Sequence, residues 1–450
     1  MLRMNFFRRY IGALFFHKRF YWIFAAIILL FVFAYASQVL FVVARFATAL
    51  FFLLVIVDYL VLFTRNGISA NRMMSERLSN GDENRIEIAV KNDYSFRARV
   101  KIIDELPVQF QLRDFILRHE LAAGERHVLH YNLRPVERGE YSFNDINIFV
   151  TTPLHLVVRR YKIEAARKIK VYPSFLSLRK FDLIAYSNNF SEVGSRRIRK
   201  LGQSVEYEQI REYVNGDDIR TLNWKATARK GGQLMVNNYT DERSQPVYCI
   251  IDKGRVMKMP FNGMTLLDYS INSSLMLSRV ALIKQDRVGI ITFSETVGQV
   301  LAADRRAGQM NNILETLYDQ GTKFGESDYE KLYALVRTRI TQRSLLVLFT
   351  NFESMSGLER QLPYIRGIAK NHLVLVVFFE NTELRQLTRS PVDDIETLYI
   401  RTIAEKFSHE KHLMVRELQQ HGIFCILTAP ENLTINTVNK YLELKARQAI

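Results

Sequence analysis

Between Phe20 and Phe63 the chain reads FYWIFAAIILLFVFAYASQVLFVVARFATALFFLLVIVDYLVLF, 44 residues whose only charges are Arg45 and Asp58. That length suits two membrane spans of about 20 residues each. The pattern predicts helices near 20–37 and 44–63, a two-helix transmembrane hairpin with a very short connection. From about residue 66 to 173 the rhythm changes to short alternating runs, NRIEIAVKN, FRARVKIIDELP, ERHVLHYNL, GEYSFNDINIFV and RKIKVYP. Period-two alternation punctuated by Asn, Asp, Gly and Pro predicts antiparallel strands, here a small β-sandwich. Residues 186–204 lose periodicity and carry the basic run Arg196, Arg197, Arg199 and Lys200, which reads as a linker. From 246 onward the apolar runs VYCIID, RVGIITF, SLLVLFT, HLVLVVFF and IFCILTA alternate with amphipathic stretches at 265–284, 307–319, 327–339, 357–371 and 396–421. Continuous apolar strands separated by helices predict a doubly wound α/β domain with a parallel sheet covered on both faces. The expected organisation is a segment and hairpin over 1–65, a β domain over 66–185, a linker and charged motif over 186–245, and the α/β domain over 246–450.

Charge changes this picture little. A net charge of +16 suits nucleic acid or an anionic membrane surface. The apolar stretch makes the membrane the simpler explanation, so lipid is the expected partner and nucleic acid is not. Arg3, Arg8, Arg9, Lys18 and Arg19 precede the spans, and Arg65, Arg72 and Arg77 follow them. The positive-inside rule then places both flanks, and both termini, in the cytoplasm. The long apolar region, without a small-residue cleavage pattern, argues against a cleaved signal peptide. Asp58 lies five residues before Phe63 and reads as an interfacial carboxylate. Arg45 is thirteen residues from it, roughly 20 Å along a helix and too far to pair. Cys249 and Cys425 sit in apolar strand-like runs and read as buried, inert thiols.

The densest chemistry lies at 205–232, VEYEQIREYVNGDDIRTLNWKATARKGG. An Asn-Gly turn before Asp217 suggests that this carboxylate caps a helix over 218–228. On such a helix Ile219 and Leu222 share an apolar face, and Trp224 anchors it on the α/β domain. Arg211, Glu212 and Arg220 suit an ionic network, and KGGQLMVNNYT reads as a turn and an extra strand. An enzyme could instead use Asp217, Asp218 and Glu206 as metal or general-base carboxylates with Lys225 as electrophile. Near-balanced charge, and the capping role of Asp217, weigh against that. The motif holds no nucleophile and base pair. His127 and His130, three apart in a strand, point to opposite faces. His409 and His412 share a helix face without further ligands nearby in sequence. The α/β region has neither a G-x-G-x-x-G nor a G-x-x-x-x-G-K-[ST] pattern, so no nucleotide cofactor is expected.

Glu206 and the stretch REYVNGDDIRTLNWKATAR, from Arg211 through Tyr213, Gly216, Asp217, Asp218, Arg220, Trp224 and Lys225 to Arg229, resemble the signature of the bacterial family called domain of unknown function 58. RGEY at 138–141, TTPLHLVVRR at 151–160 and VYP at 171–173 are supporting traces; Asn215 stands where that family often has proline, and Ala226 and Thr227 flank its usual small residues. The resemblance implies a C-terminal domain similar to a von Willebrand factor A domain, whose metal-dependent members hold a divalent cation on D-x-S-x-S, a distal Thr and a further Asp. Here Asp252 is kept, but Gly254 and Val256 replace the serines, Thr322 is the candidate threonine and Asn351 replaces the distal carboxylate. A hard cation loses most of its oxygens in such a set, so a degenerate site and no metal are expected. The resemblance also implies a partner, a MoxR-type AAA+ ATPase. The resulting expectation is a non-enzymatic, membrane-tethered interaction or scaffold protein that assembles or remodels a complex. The alternatives are a hydrolase or nuclease using the motif carboxylates, and a metal-dependent adhesion module.

Overall fold

A computed structural model describes residues 12–35, 37–176, 178, 205–214, 217, 219–241, 244–318, 320–388 and 394–447. These fall into two compact units, Met1–Tyr172 and Pro173–Ile450. The basic linker at 186–204 lies outside the described residues.

The first unit begins with strand β1 (Leu14–Phe16) and helices α1 (Lys18–Ala34) and α2 (Gln38–Phe63). Helix α2 starts earlier than its sequence suggests, directly after Ser37 in extended conformation. It is the one described helix long and apolar enough to cross a membrane. Ten strands follow: β2 (Ile68–Met73), β3 (Arg77–Ser79), β4 (Asn84–Asn92), β5 (Ala98–Asp104), β6 (Leu117–Leu121), β7 (Arg126–Leu133), β8 (Gly139–Phe143), β9 (Ile146–Thr151), β10 (Val157–Ile163) and β11 (Arg167–Tyr172). They form three sheets, ordered β1-β10-β9-β5-β6, β2-β4-β7 and β3-β11-β8, where alternation alone suggested one small sandwich. The run GEYSFNDINIFV explains part of the difference, because Asn144 and Asp145 break it and send its two halves to different sheets. Strand β8 pairs with β11, whereas β9 pairs with β5 and β10. Alternate positions such as Ile86, Ile88, Val90, Val100, Ile102, Ile148 and Val150 fill one shared core, as period-two patterning requires.

Both helices join that core through Ile27, Phe51, Leu62 and Phe63. Asp58 is central to the junction, and the interfacial reading of it is corrected here. Its side chain is fully buried. Thr152 Oγ1 donates to it, as do the backbone N–H groups of Leu156 (3.1 Å) and Val157 (2.8 Å). The carboxylate therefore satisfies the start of β10 rather than facing headgroups. Arg159 completes the clasp, donating to the carbonyls of Leu62 and Arg65 and to Asn66 Oδ1, while Tyr94 donates to Leu62 O at 2.7 Å. Carbonyls at a helix C-terminus lack intrahelical partners, and a guanidinium there also complements the helix dipole. The TTPLHLVVRR run thus receives the end of α2. A second buried pin joins β2, β5 and β7, where Arg72 and Tyr131 both donate to Asp104.

In the second unit a two-stranded ribbon, β12 (Val205–Glu212) and β13 (Met235–Asp241), encloses the short helix α3 (Trp224–Arg229). The remainder is built on β14 (Pro246–Asp252), a tight ribbon of β15 (Pro260–Phe261) and β16 (Met264–Thr265), α4 (Leu266–Ile283), β17 (Arg287–Phe293), β18 (Val297–Asp304), α5 (Gln309–Tyr318), α6 (Tyr329–Arg339), β19 (Leu345–Phe349), α7 (Met355–Ala369), β20 (Leu373–Phe379), α8 (Thr382–Leu387), α9 (Ile395–Gln420), β21 (Phe424–Thr428) and α10 (Leu433–Ala446). Six strands form one sheet in the order β18-β17-β14-β19-β20-β21, parallel except for the edge strand β18. Successive side chains go to opposite faces. Val247, Cys249 and Ile251 pack with α4, α5 and α10, whereas Tyr248 and Ile250 face α6, α7 and α9. Burial on both sides is why these strands read as unbroken apolar runs. Cys249 is buried, which pushes its thiol up to about 12, and Cys425 is half-buried; both are free.

Candidate functional site

The charged motif folds as the β12–β13 ribbon, and its internal wiring differs from the one its spacing suggests. No helix spans 218–228. Ile219–Thr221 form a single 3-10 turn, and α3 starts only at Trp224, where the Asn223 side chain caps it by accepting from Ala226 N at 3.0 Å. Asp217 does not cap that helix. It closes the preceding turn, accepting from Val214 N at 2.9 Å and from the Arg211 guanidinium at 2.6 Å, which holds its pKa below the usual carboxylate range. Arg211 therefore pairs with Asp217, and its contact with Glu212 is only to the backbone carbonyl. Glu212 lies 3.5 Å from Lys230 at the surface. Backbone pairing ties Tyr213 to Leu234, and Gly231 and Gly232 turn the chain with φ of +67° and +101°, values open to glycine at no steric cost.

Trp224 is not a buried anchor. It is 68% exposed, beside Lys225 and Arg229 on the same exposed helix. The residue that fastens α3 is Thr227, which is buried, donates to Asn223 O and accepts from Met235 N at 3.0 Å. A six-residue helix turns one narrow face inward, and Thr227 occupies it. Ile219 (70% exposed), Val214 and Leu234 are further exposed apolar residues of the motif, so Ile219 and Leu222 do not form a buried face together. Gly216 and Asp218 lie outside the described residues. Nothing is described for the side chains of Glu206 and Arg220, which lie on β12 and the 3-10 turn.

At the carboxyl ends of the parallel strands, where open α/β sheets place their ligands, Asp252 ends β14 and is fully buried. Oδ1 accepts from Gly254 N (2.8 Å) and Ser327 Oγ; Oδ2 accepts from Thr350 Oγ1 (2.7 Å) and Tyr329 OH (3.3 Å). Burial nevertheless raises its pKa, and it raises that of Tyr329 too. The Tyr329 hydroxyl also lies 2.7 Å from Thr350 Oγ1, so its single hydrogen is shared between Thr350 and the carboxylate, which has three closer donors besides. A Cβ on Gly254 would stand 2.0 Å from Ser327 Oγ, so the Ser327 hydroxyl occupies the space a side chain at 254 would need. Val256 packs against the apolar core. Thr322 Oγ1 donates to Lys253 O and accepts from Phe324 N. Asn351 Oδ1 accepts from Lys411 Nζ at 2.8 Å. At every position of the five the polar capacity is turned inward or absent.

Lys411 had no part in the sequence reading, because it lies on α9, sixty residues beyond Asn351. It also donates to Phe352 O, and burial holds its pKa down at about 8 against the pull of Glu353. Lys411 lines a cavity of about 160 Å³ with Glu353, Met259, Phe261, Phe379 and Phe407. Ser327, Tyr329 and Thr350 were equally invisible, since only the folded sheet brings them to Asp252.

Residues 209–418 match the family described as "Protein of unknown function DUF58". The chain is 25% identical over 205 residues to the "Uncharacterized protein YeaD" of Bacillus subtilis (strain 168), a match covering 43% of this chain and 50% of that protein. It thus spans about half the length of this curated relative. Among solved structures, the conserved hypothetical protein BatB from Bacteroides thetaiotaomicron aligns over 45% of this chain and 100% of its own at 13% identity, with a TM-score of 0.30. The CARDB domain of the PF1109 protein from Pyrococcus furiosus aligns over 24% of this chain and 93% of its own at 16% identity, with a TM-score of 0.17. Both scores are too low to carry an argument about fold or function. The family match encloses the charged ribbon from Gln209 and most of the six-stranded sheet, and in these residues the chain is similar to DUF58 proteins.

Proposed function

We propose that this chain is a membrane-tethered, non-enzymatic interaction or scaffold protein. In this reading α1 and α2 form a two-span hairpin with both flanks cytoplasmic, the α/β unit is a von Willebrand factor A-like domain, and the partner is a MoxR-type AAA+ ATPase used in assembling or remodelling a protein complex. The observation that carries the reading is Trp224, 68% exposed at the centre of the family's signature. Exposed Trp flanked by Ile219, Val214 and basic residues is the composition of a binding hot spot, where truncation costs about 2 kcal/mol or more. Asp217, the described carboxylate of the hydrolase alternative, is engaged by Arg211 and Val214 N, which weakens that reading.

The test is co-purification of the full chain, solubilised in detergent, with a MoxR-type ATPase from the same cells. Trp224→Ala is expected to leave the melting temperature unchanged and to weaken capture by about thirtyfold, the equivalent of about 2 kcal/mol. Capture equal to the parent's, or a Trp224→Ala protein that loses capture only because it unfolds, would overturn the docking role. Reporter fusions at surface loops of the α/β unit test the topology; access from the periplasmic side would overturn it.

A further inference from the structure

We infer that His119, Glu125 and His127 form a binding site for a borderline divalent cation, zinc foremost, on the first unit. Strand β6 carries His119 and β7 carries His127, with Glu125 in the tight turn between them. The candidate ligand atoms of all three side chains lie within 4.8 Å of one another. The imidazoles stack with centroids 4.0 Å apart and planes 15° from parallel. Glu125 is already oriented, because one carboxylate oxygen accepts from Ala122 N at 2.6 Å, leaving the other free to coordinate. Outer hydrogen bonds of this kind fix a ligating carboxylate.

The donor set selects the metal. Two imidazoles and one carboxylate with an open fourth position are the ligands of many zinc sites, and copper(II), nickel(II) and cobalt(II) accept the same set, whereas Mg²⁺ and Ca²⁺ prefer oxygens alone. Bonds of about 2.0 Å in a tetrahedral site put ligand atoms roughly 3.3 Å apart, so the three side chains need to close by up to about 1.5 Å from their 4.8 Å limit, and the stacked imidazoles must turn so that both in-plane lone pairs meet the ion. Each is half-buried. The position has a structural consequence. Strand β6 is the edge of the five-stranded sheet and β7 the edge of the β2-β4-β7 sheet, so a cation held by both histidines would bridge two sheets at their margins. A simple stacked pair of imidazoles needs no carboxylate beside it. The site is remote in sequence from the Asp252 positions and independent of the proposed docking role.

The test uses the full chain, free of any histidine tag and in detergent, titrated with Zn²⁺ by calorimetry. One-to-one binding is expected. His119→Gln and His127→Gln should each weaken it by at least about tenfold, since even outer-sphere partners are worth about 10–100-fold, and His409→Gln with His412→Gln should leave it unchanged. Co²⁺ supplies a readout that needs no variant: the parent protein should develop the intense visible bands of a four-coordinate ion, quenched by added Zn²⁺. Absence of saturable one-to-one binding, a Co²⁺ spectrum matching the free ion, or binding retained in the His119→Gln, His127→Gln double variant would each overturn the inference.

Discussion

Asp58→Ala tests the largest departure of the structure from the sequence reading. An interfacial carboxylate near the end of an apolar helix contributes little, and its removal should fall within about 0.5 kcal/mol of neutral or favour insertion. The structure gives it three donors: the Thr152 hydroxyl and the backbone N–H groups of Leu156 and Val157. The two amides cannot rotate away, because they open β10 against the core. Each donor left buried without an acceptor costs about 1–3 kcal/mol, and a water entering the space left by the side chain would recover part of that. A net loss of about 3–5 kcal/mol is expected. For a unit of this size each kcal/mol is worth about 2–4 °C, so the melting temperature of the detergent-solubilised chain should fall by roughly 10 °C. Asp58→Asn keeps one acceptor oxygen and should lose about half as much. Thr152→Val removes a single donor, and in the Asp58→Ala background its effect should largely vanish, a non-additivity expected only of groups in contact. An Asp58→Ala protein that melts within a degree or two of the parent would refute the clasp.

Three further outcomes follow from the second unit. Gly254→Ser, which restores a serine of the D-x-S-x-S pattern, should destabilise by about 1–3 kcal/mol in urea, because its Cβ displaces the Ser327 hydroxyl from Asp252. The double change with Ser327→Gly should recover part of the loss, and no loss in the single variant would show that the hydroxyl is dispensable. Calorimetry with Mg²⁺, Mn²⁺ or Ca²⁺ should find no one-to-one site that Asp252→Ala abolishes, since its acceptor directions are filled by protein donors. The Lys411 pKa of about 8 lies below the ordinary lysine value, so the unfolded state binds more protons between about pH 8 and about pH 10. Stability should therefore rise with pH across that window; Lys411→Met should flatten the rise, and a slope unchanged in that variant would mean that another group produces it.

Much of the architecture was legible because burial leaves a local period. Strands β4, β5, β7 and β11 alternate because one face is wet, and β14, β17, β19 and β20 are continuous because neither is. The stretches 265–284, 327–339 and 396–421 appear as α4, α6 and α9 within a residue or two. The edge strand β18 was missed, as its outer positions are half-exposed and its pattern is mixed. The candidate site was less legible. The motif's density was visible, but a spacing that suits an eleven-residue helix also suits a turn, a 3-10 segment and a six-residue helix, and the choice between them depends on how β12 and β13 pair.

By itself, then, the sequence determined the kinds of element, their order and the apolar helix, since each depends on side-chain periodicity over ten or twenty residues. Only the tertiary structure decided which polar groups meet. Asp58 finds its donors 94 to 99 residues away, and Asp252 finds Ser327 and Thr350 at 75 and 98. His119 meets His127 across the margins of two sheets. A carboxylate, a hydroxyl or an imidazole has the same local signature whether it faces solvent or a partner. Its role is set by the distant backbone that packing brings to it, and that backbone's position is a property of the whole core.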